Sequence, residues 1–394
     1  MPAAANLLRR PVTLLDDDDP ERTSLLPSLA EAFADIGEFA LAEVYLEQAI
    51  EPPGARDNPT AALAAILRLH VRAQAGGREQ DWGDRIVREA DAAIRLLETA
   101  GDHAGTAAAW RVVAWAHGTA GRFGEAAHAA ERAVEHATAA SDDRQRRRAS
   151  SQYAEAALYG PIPVPEAIAR CEQILAQAAG DHRTQGVVMG VLARLVAMRG
   201  DIERARELYR GAQRTLRDGG RSVVAASTSL FSWGVETLAA DHAAAERELR
   251  KDFEALTAMG EKYLRSTVAA ELVPTLIAQD RDDEAARYSA VAEELSAEDD
   301  VASQAVLRAG RALLLVRAGE TTRAIELARD SVRLFDGTDA LVIRAEMLTH
   351  LAEVLAGAGD SMGARNAAAE ALALHEQKGN LVAADALRLA FASA

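Results

Sequence analysis

Residues 339–379 read DALVIRAEMLTHLAEVLAGAGDSMGARNAAAEALALHEQKG, and this stretch holds one whole structural repeat. Leu341, Ala345, Leu348, Ala352 and Leu355 recur at alternating spacings of four and three, the stripe of a helix buried along one side, whereas a strand needs a spacing of two. Gly359 ends that helix, because a glycine just past a helix end takes the left-handed conformation without a Cβ penalty. Ala364 follows five residues later and Ala371 seven after that, two turns apart on one face of a second helix, where small side chains let the first helix approach. Asp339 opens the repeat and Asn380 the next segment, and both residue types cap helix N-termini.

The same pattern runs through the chain. Turn glycines stand at Gly37, Gly77, Gly121, Gly160, Gly200, Gly319 and Gly359, with Ala240 and Asp280 where two more are expected, so the period is close to 40 residues. Asp102, Asp142, Asp181, Asp300, Asp339 and Asn380 recur between repeats, with Gly220 and Gly260 at the remaining slots. Ala42, Ala126, Ala205, Ala245, Ala285, Ala324 and Ala364 form one small-residue column, and Ala49, Ala133, Ala212, Ala292, Ser331 and Ala371 a second. The expected fold is an all-α solenoid, a right-handed superhelix of nine helix-turn-helix repeats near 21–56, 60–101, 102–141, 142–180, 181–219, 220–259, 260–299, 300–338 and 339–379. Residues 1–20 read as a flexible acidic lead-in and 21–394 as one domain, with a cap at 380–394. There Leu381, Leu387 and Phe391 are expected to cover the open face of the ninth repeat. The second repeat carries four extra residues around Gly77 to Trp82, and Pro161, Pro163 and Pro165 stiffen the turn of the fourth, so both are expected to project as longer loops.

Composition narrows the function classes. The apolar mass is mostly Ala and Leu with 4% aromatic residues, and the net charge of −16 repels phosphate backbones. No long uncharged apolar run or secretory leader is read, which places the expected location in the cytoplasm. Cys171 is the single cysteine, so neither an internal disulfide nor a thiolate cluster can form.

The turn Gly, the Ala five later and the small residue seven after that resemble the tetratricopeptide repeat over roughly residues 21–394. More narrowly, DDDDPERTSLLPSLAEAF (16–33), AAAERELRKDFEALTAMGEKYLRSTVAAEL (243–272), DVASQAVLRAGRALLLVRAGE (300–320) and KGNLVAADALR (378–388) are similar to one helical arm. It is the C-terminal arm of bacterial signalling proteins in which a class III adenylate or guanylate cyclase domain and an AAA-type ATPase precede the repeats. That resemblance implies a bacterial regulatory or partner-sensing arm, with a cyclase or ATPase module among its partners; the three lysines Lys251, Lys262 and Lys378 suit a high-GC source. The repeats here are longer than the family's usual length, and the cyclase and ATPase sequences are absent from the chain.

No constellation of catalytic residues emerges. None of the three lysines sits in a phosphate-binding loop, and His128 and His136 lie two helical turns apart, too far for one metal. Ser150 and Ser151 follow a basic run without the turn that exposes a nucleophile. The chain is therefore expected to be no enzyme and to use no cofactor or metal. The expected function is a scaffold or sensor arm holding a protein, peptide or effector in the groove of successive first helices; a detached arm of a cyclase or ATPase protein is the alternative, and a nucleic-acid-binding solenoid the weaker one. Trp110, Trp115, Tyr153, Phe231 and Trp233 on first helices, with Arg146 and Arg147 from the one basic cluster, are the candidate partner-binding residues.

Overall fold

The computed structural model describes residues 2–50, 58–75, 82–219, 223–296 and 300–391, with twenty α-helices and no strand among them. Nine helix pairs follow one another: α2 (Pro20–Ala34) with α3 (Phe39–Ile50), α4 (Pro59–Gln74) with α5 (Trp82–Ala100), α6 (His103–Thr119) with α7 (Phe123–Ala139), α8 (Asp143–Tyr159) with α9 (Val164–Gln177), α10 (His182–Met198) with α11 (Ile202–Asp218), α12 (Ser229–Leu238) with α13 (His242–Met259), α14 (Tyr263–Ile277) with α15 (Asp282–Leu295), α16 (Val301–Arg317) with α17 (Thr321–Arg333), and α18 (Leu341–Gly357) with α19 (Ser361–Lys378). The fold is a tetratricopeptide-like α-solenoid. A further helix, α20 (Leu381–Phe391), ends it. The segment expected as a lead-in instead forms α1 (Pro2–Leu14), which buries Ala5 and Val12 and packs on α2.

The turns follow the predicted register. Gly37, Gly121, Gly200, Gly319 and Gly359 all have positive φ, and Ala240 and Asp280 adopt the same conformation at φ 56 and 57 despite their side chains. A Cβ there costs roughly 1–2 kcal/mol, so the tight turn between paired helices dictates the backbone and the residue complies. Gly160 serves differently: its φ is not positive, and a Cβ on it would meet the Phe123 Cβ at 2.6 Å. Gly77 and Gly220 lie outside the described residues. The alanine columns are buried, with Ala42, Ala205, Ala245, Ala285 and Ala324 each at 0% exposure, as close helix pairing requires.

The chain divides into two compact units, residues 1–118 with 125–153, and residues 119–124 with 154–394. Within the second unit the first helices α10, α12, α14, α16 and α18 neighbour one another in sequence order. They form an inner layer and are buried nearly all round; in α10 that includes Gly186, Val188, Val191, Leu195 and Met198. The second helices bury one face only, as in α11, where Ala205, Tyr209, Ala212 and Leu216 point inward. This difference explains the near-continuous apolar runs of the first helices.

The second unit also closes on itself. Asp339, expected to cap its own helix, instead accepts hydrogen bonds from the backbone N–H groups of Phe123 and Gly124 at 2.6 and 2.7 Å, capping α7 from far along the chain, while Ala340 stands at the N-cap of α18. Phe335 lies beside Gly121, where an added Cβ would find its ring 3.3 Å away. Lys378 is fully buried and its Nζ donates to the carbonyls of Ala157, Gly160 and Ile162 at 2.5, 2.8 and 2.7 Å. Burial pulls the amine down to about 7, but three carbonyl acceptors favour the ammonium form. The proline-rich turn, expected to project, is thus the dock for the end of α19. Buried Cys171 has its thiol pushed up to about 12 by burial and is a packed side chain. Of the expected cap residues, Leu387 is buried with Ala384, but Leu381 is 43% exposed, so α20 covers its neighbours with a narrower face than the sequence suggests.

Candidate functional site

Charged side chains on the inner helices of the second unit are the feature that packing does not require. Arg194 is 3% exposed in the middle of the apolar run of α10. Its Nη2 donates to Glu346 Oε1 of α18 at 2.5 Å and its Nη1 to the Tyr159 hydroxyl of α8 at 3.3 Å. The guanidinium lies 5.4 Å from the ring centroids of both Tyr159 and Trp233, the cation–π range. Room for it comes from Gly234, since a Cβ there would meet Arg194 Nε at 2.6 Å. Trp233 is fixed by its own N–H, which donates to Thr275 Oγ1 of α14 at 3.1 Å. For α10 to reach α18, the inner layer must curve inward, so these side chains face a concave wall.

Glu271 of α14 stands in this wall at 8% exposure, and among the described residues its carboxylate has no hydrogen-bond or ion-pair partner. Burial, reinforced by the charge of Glu346 and opposed by Arg194, pushes it up to about 8. Glu155 of α8 remains open to water, and the protein mass around it, against a weak pull from Arg183, also raises its carboxyl. Burial lowers His350 of α18, but its hydrogen bond to Glu353 at 3.4 Å and the charges of Glu353 and Glu346 outweigh that and raise it. Two other buried carboxylates, Glu236 of α12 and Asp252 of α13, are satisfied. Glu236 accepts from Arg206 at 2.6 Å and from the Tyr209 hydroxyl at 2.7 Å, and Asp252 accepts the Ser229 N–H at 2.5 Å. Against these, Glu271 is the anomaly.

In the first unit the inner charges neutralise one another. Glu31 of α2 accepts from Arg111 at 2.9 Å and from Arg144 and Gln145 at 3.1 Å each, and Arg148 pairs with Asp35. Burial would raise the Glu31 carboxyl, yet Arg111, Arg148 and Arg144 overcome it and hold it down to about 2. His70, lowered to about 3 by burial and by Arg111, packs edge-on against Trp115 at 4.3 Å. A cavity of 240 Å³ lies beside this network, lined in part by Ser24, Ser28, Glu31 and Thr60.

The sequence-predicted residues fall in several places. Trp110 is half-buried under Arg132, and its indole N–H is buried without a partner. Trp115 packs with His70 and Trp82, and Tyr153 is buried. Arg146 and Arg147 reach Asp143 on their own helix at 2.7 and 3.8 Å. Phe231 is half-buried against Gly190 of α10, where a Cβ would touch its ring at 2.6 Å. Of this set Trp233 joins the charged wall. Arg194, Glu271, Glu346, Glu155 and Tyr159 were not singled out, although a lone charge in an apolar inner-helix run, as in VAAELVPTLI around Glu271, is a legible signal.

No family model matches the chain, and no curated protein matches it. Among solved structures it is similar to a Rap protein complexed with competence and sporulation factor, at a TM-score of 0.70 and 12% identity, over 91% of this chain and 99% of that one. Looser likenesses are to the yeast Tom70, at TM-score 0.48, 13% identity and 98% and 85% coverage of the two chains, and to a tetratricopeptide repeat protein from Parabacteroides merdae, at 0.36, 12%, 84% and 98%. With the first of these structures the chain shares a helical-repeat fold along nearly its whole length.

Proposed function

We propose that the chain is a non-catalytic binding module that holds a peptide or protein segment against the inner helices of its second unit. The carrying observation is Glu271, a buried carboxylate without a partner beside the Arg194–Glu346 pair. Burying a carboxyl group costs free energy in either protonation state unless it is hydrogen-bonded, so an array built only for stacking would place an apolar residue there. Support also comes from the solved Rap protein of the same fold, which is complexed with a factor. The regulatory arm of a cyclase or ATPase signalling protein is a finer version of this reading, supported by the resemblance of residues 243–272 and 300–320. The test is fluorescence polarisation with a random-hexapeptide library. Saturable binding that Arg194→Met and Trp233→Ala weaken supports the proposal; binding indifferent to both, or none at all, contradicts it.

A further inference from the structure

The binding wall has a sign. Two carboxyl groups, Glu271 and Glu346, face one buried guanidinium, and Arg194 is already engaged by Glu346 and by the Tyr159 hydroxyl. Arg194 balances one carboxylate. Glu271 therefore lacks a counter-charge of its own. An anionic ligand would meet the Glu346 carboxylate and find both Nη groups of the arginine engaged, with only Nε unpaired and packed against Gly234. A divalent metal is a poor fit, because among the described residues no three His, Cys, Asp or Glu side chains converge closely enough to hold one. An organic cation needs no such convergence, since a guanidinium or ammonium donates through several N–H groups and can bridge separated carboxylates.

We propose that Glu271, with Glu346 beside it, receives a cationic group of the ligand, an ammonium or guanidinium, on the inner wall of the second unit. This rests on the binding role proposed above and adds its ligand chemistry. The charged and titratable groups around Glu271 are Arg194 from α10, Glu346 from α18 and Tyr159 from α8. Because the carboxyl is held up to about 8 by burial and by Glu346, it carries a proton at neutral pH in the free protein. An arriving cation favours the carboxylate and expels that proton to solvent, so binding and proton release are linked.

The experiment is titration calorimetry on the full chain at neutral pH in two buffers of different ionisation enthalpy. The probes are a blocked Gly-Ala-Arg-Ala-Gly peptide, its twin with citrulline in place of arginine, and agmatine as a free small cation. The expected result is saturable binding of a cationic probe with release of up to one proton, weaker citrulline binding by about tenfold, and loss of the proton signal in Glu271→Gln. Equal binding of the arginine and citrulline peptides overturns this inference and leaves the peptide-binding reading standing. Binding of agmatine but not of the arginine peptide supports the cation site and counts against a peptide as its source. No saturable heat from either cation, or an unchanged proton signal in Glu271→Gln, overturns the inference.

Discussion

Arg194 and Glu346 stand 152 positions apart in the chain and meet at 2.5 Å. The ion pair joins the first inner helix of the second unit's curved layer to the last. Glu346→Gln leaves Arg194 buried with a weaker partner and removes one of the charges that raise Glu271. Glu346 is partly open to water, which softens the loss, so the expected destabilisation is about 1–2 kcal/mol by urea unfolding, with Arg194→Met costing no more than that. A double-mutant cycle should return a favourable coupling energy; additive effects would mean that the pair carries no energy of its own.

Glu271 makes stability depend on pH in a defined direction. Its folded value, about 8, lies above the ordinary 4.5, so below about 4.5 both states hold the proton and its contribution is intact. As pH rises the unfolded chain ionises first, and stability falls until the folded group also ionises near 8. Glu271→Gln stays neutral in both states. It should match the parent near pH 4 and exceed it by roughly 4–5 kcal/mol near pH 9. A variant that is no more stable than the parent in alkali would refute this account of the site.

Lys378 tests the closure of the second unit. Lys378→Met removes the donor to three carbonyls at 157, 160 and 162, and the expected cost is about 3 kcal/mol. Hydrogen exchange should speed up near residues 157–165 as well as in α19. Deleting 380–394 should act likewise, loosening 341–379 first and the start of α11 next, because Val382 lies beside Gly200. Fraying confined to the last helix pair would show that the closure adds nothing.

Asp339 should behave as the cap of α7. Asp339→Ala strips two acceptors from the N–H groups of Phe123 and Gly124, at about 1–2 kcal/mol. Gly124→Ala should be harmful as well, since its Cβ would come within 2.5 Å of the Asp339 carboxylate. Exchange protection lost at the start of α18 rather than of α7 would reassign the cap.

What the sequence revealed was what local rules govern. Ala240 and Asp280 were placed in turns by period alone and adopt the left-handed backbone of the glycines they replace. Asp102, Asp142, Asp181, Asp300 and Asn380 cap the helices that follow them. Asp339 breaks that series because its partner lies 215 and 216 residues away, and Lys378 looks like an ordinary last-turn cation until the chain closes around it. The site was hidden for the same reason. Arg194, Glu271 and Glu346 are each visible as a charge in an apolar run, but only the curvature of the inner helices brings them together.

The most direct measurement is fluorine NMR on the chain labelled with 5-fluorotryptophan, titrated with a peptide selected from the hexapeptide library. Its four tryptophans place one probe, Trp233, on the charged wall of the second unit and three, Trp82, Trp110 and Trp115, in the first unit. The account predicts that the Trp233 resonance shifts with the binding isotherm and that Glu271→Gln alters that shift. Movement of Trp82, Trp110 or Trp115 with Trp233 unchanged would contradict it.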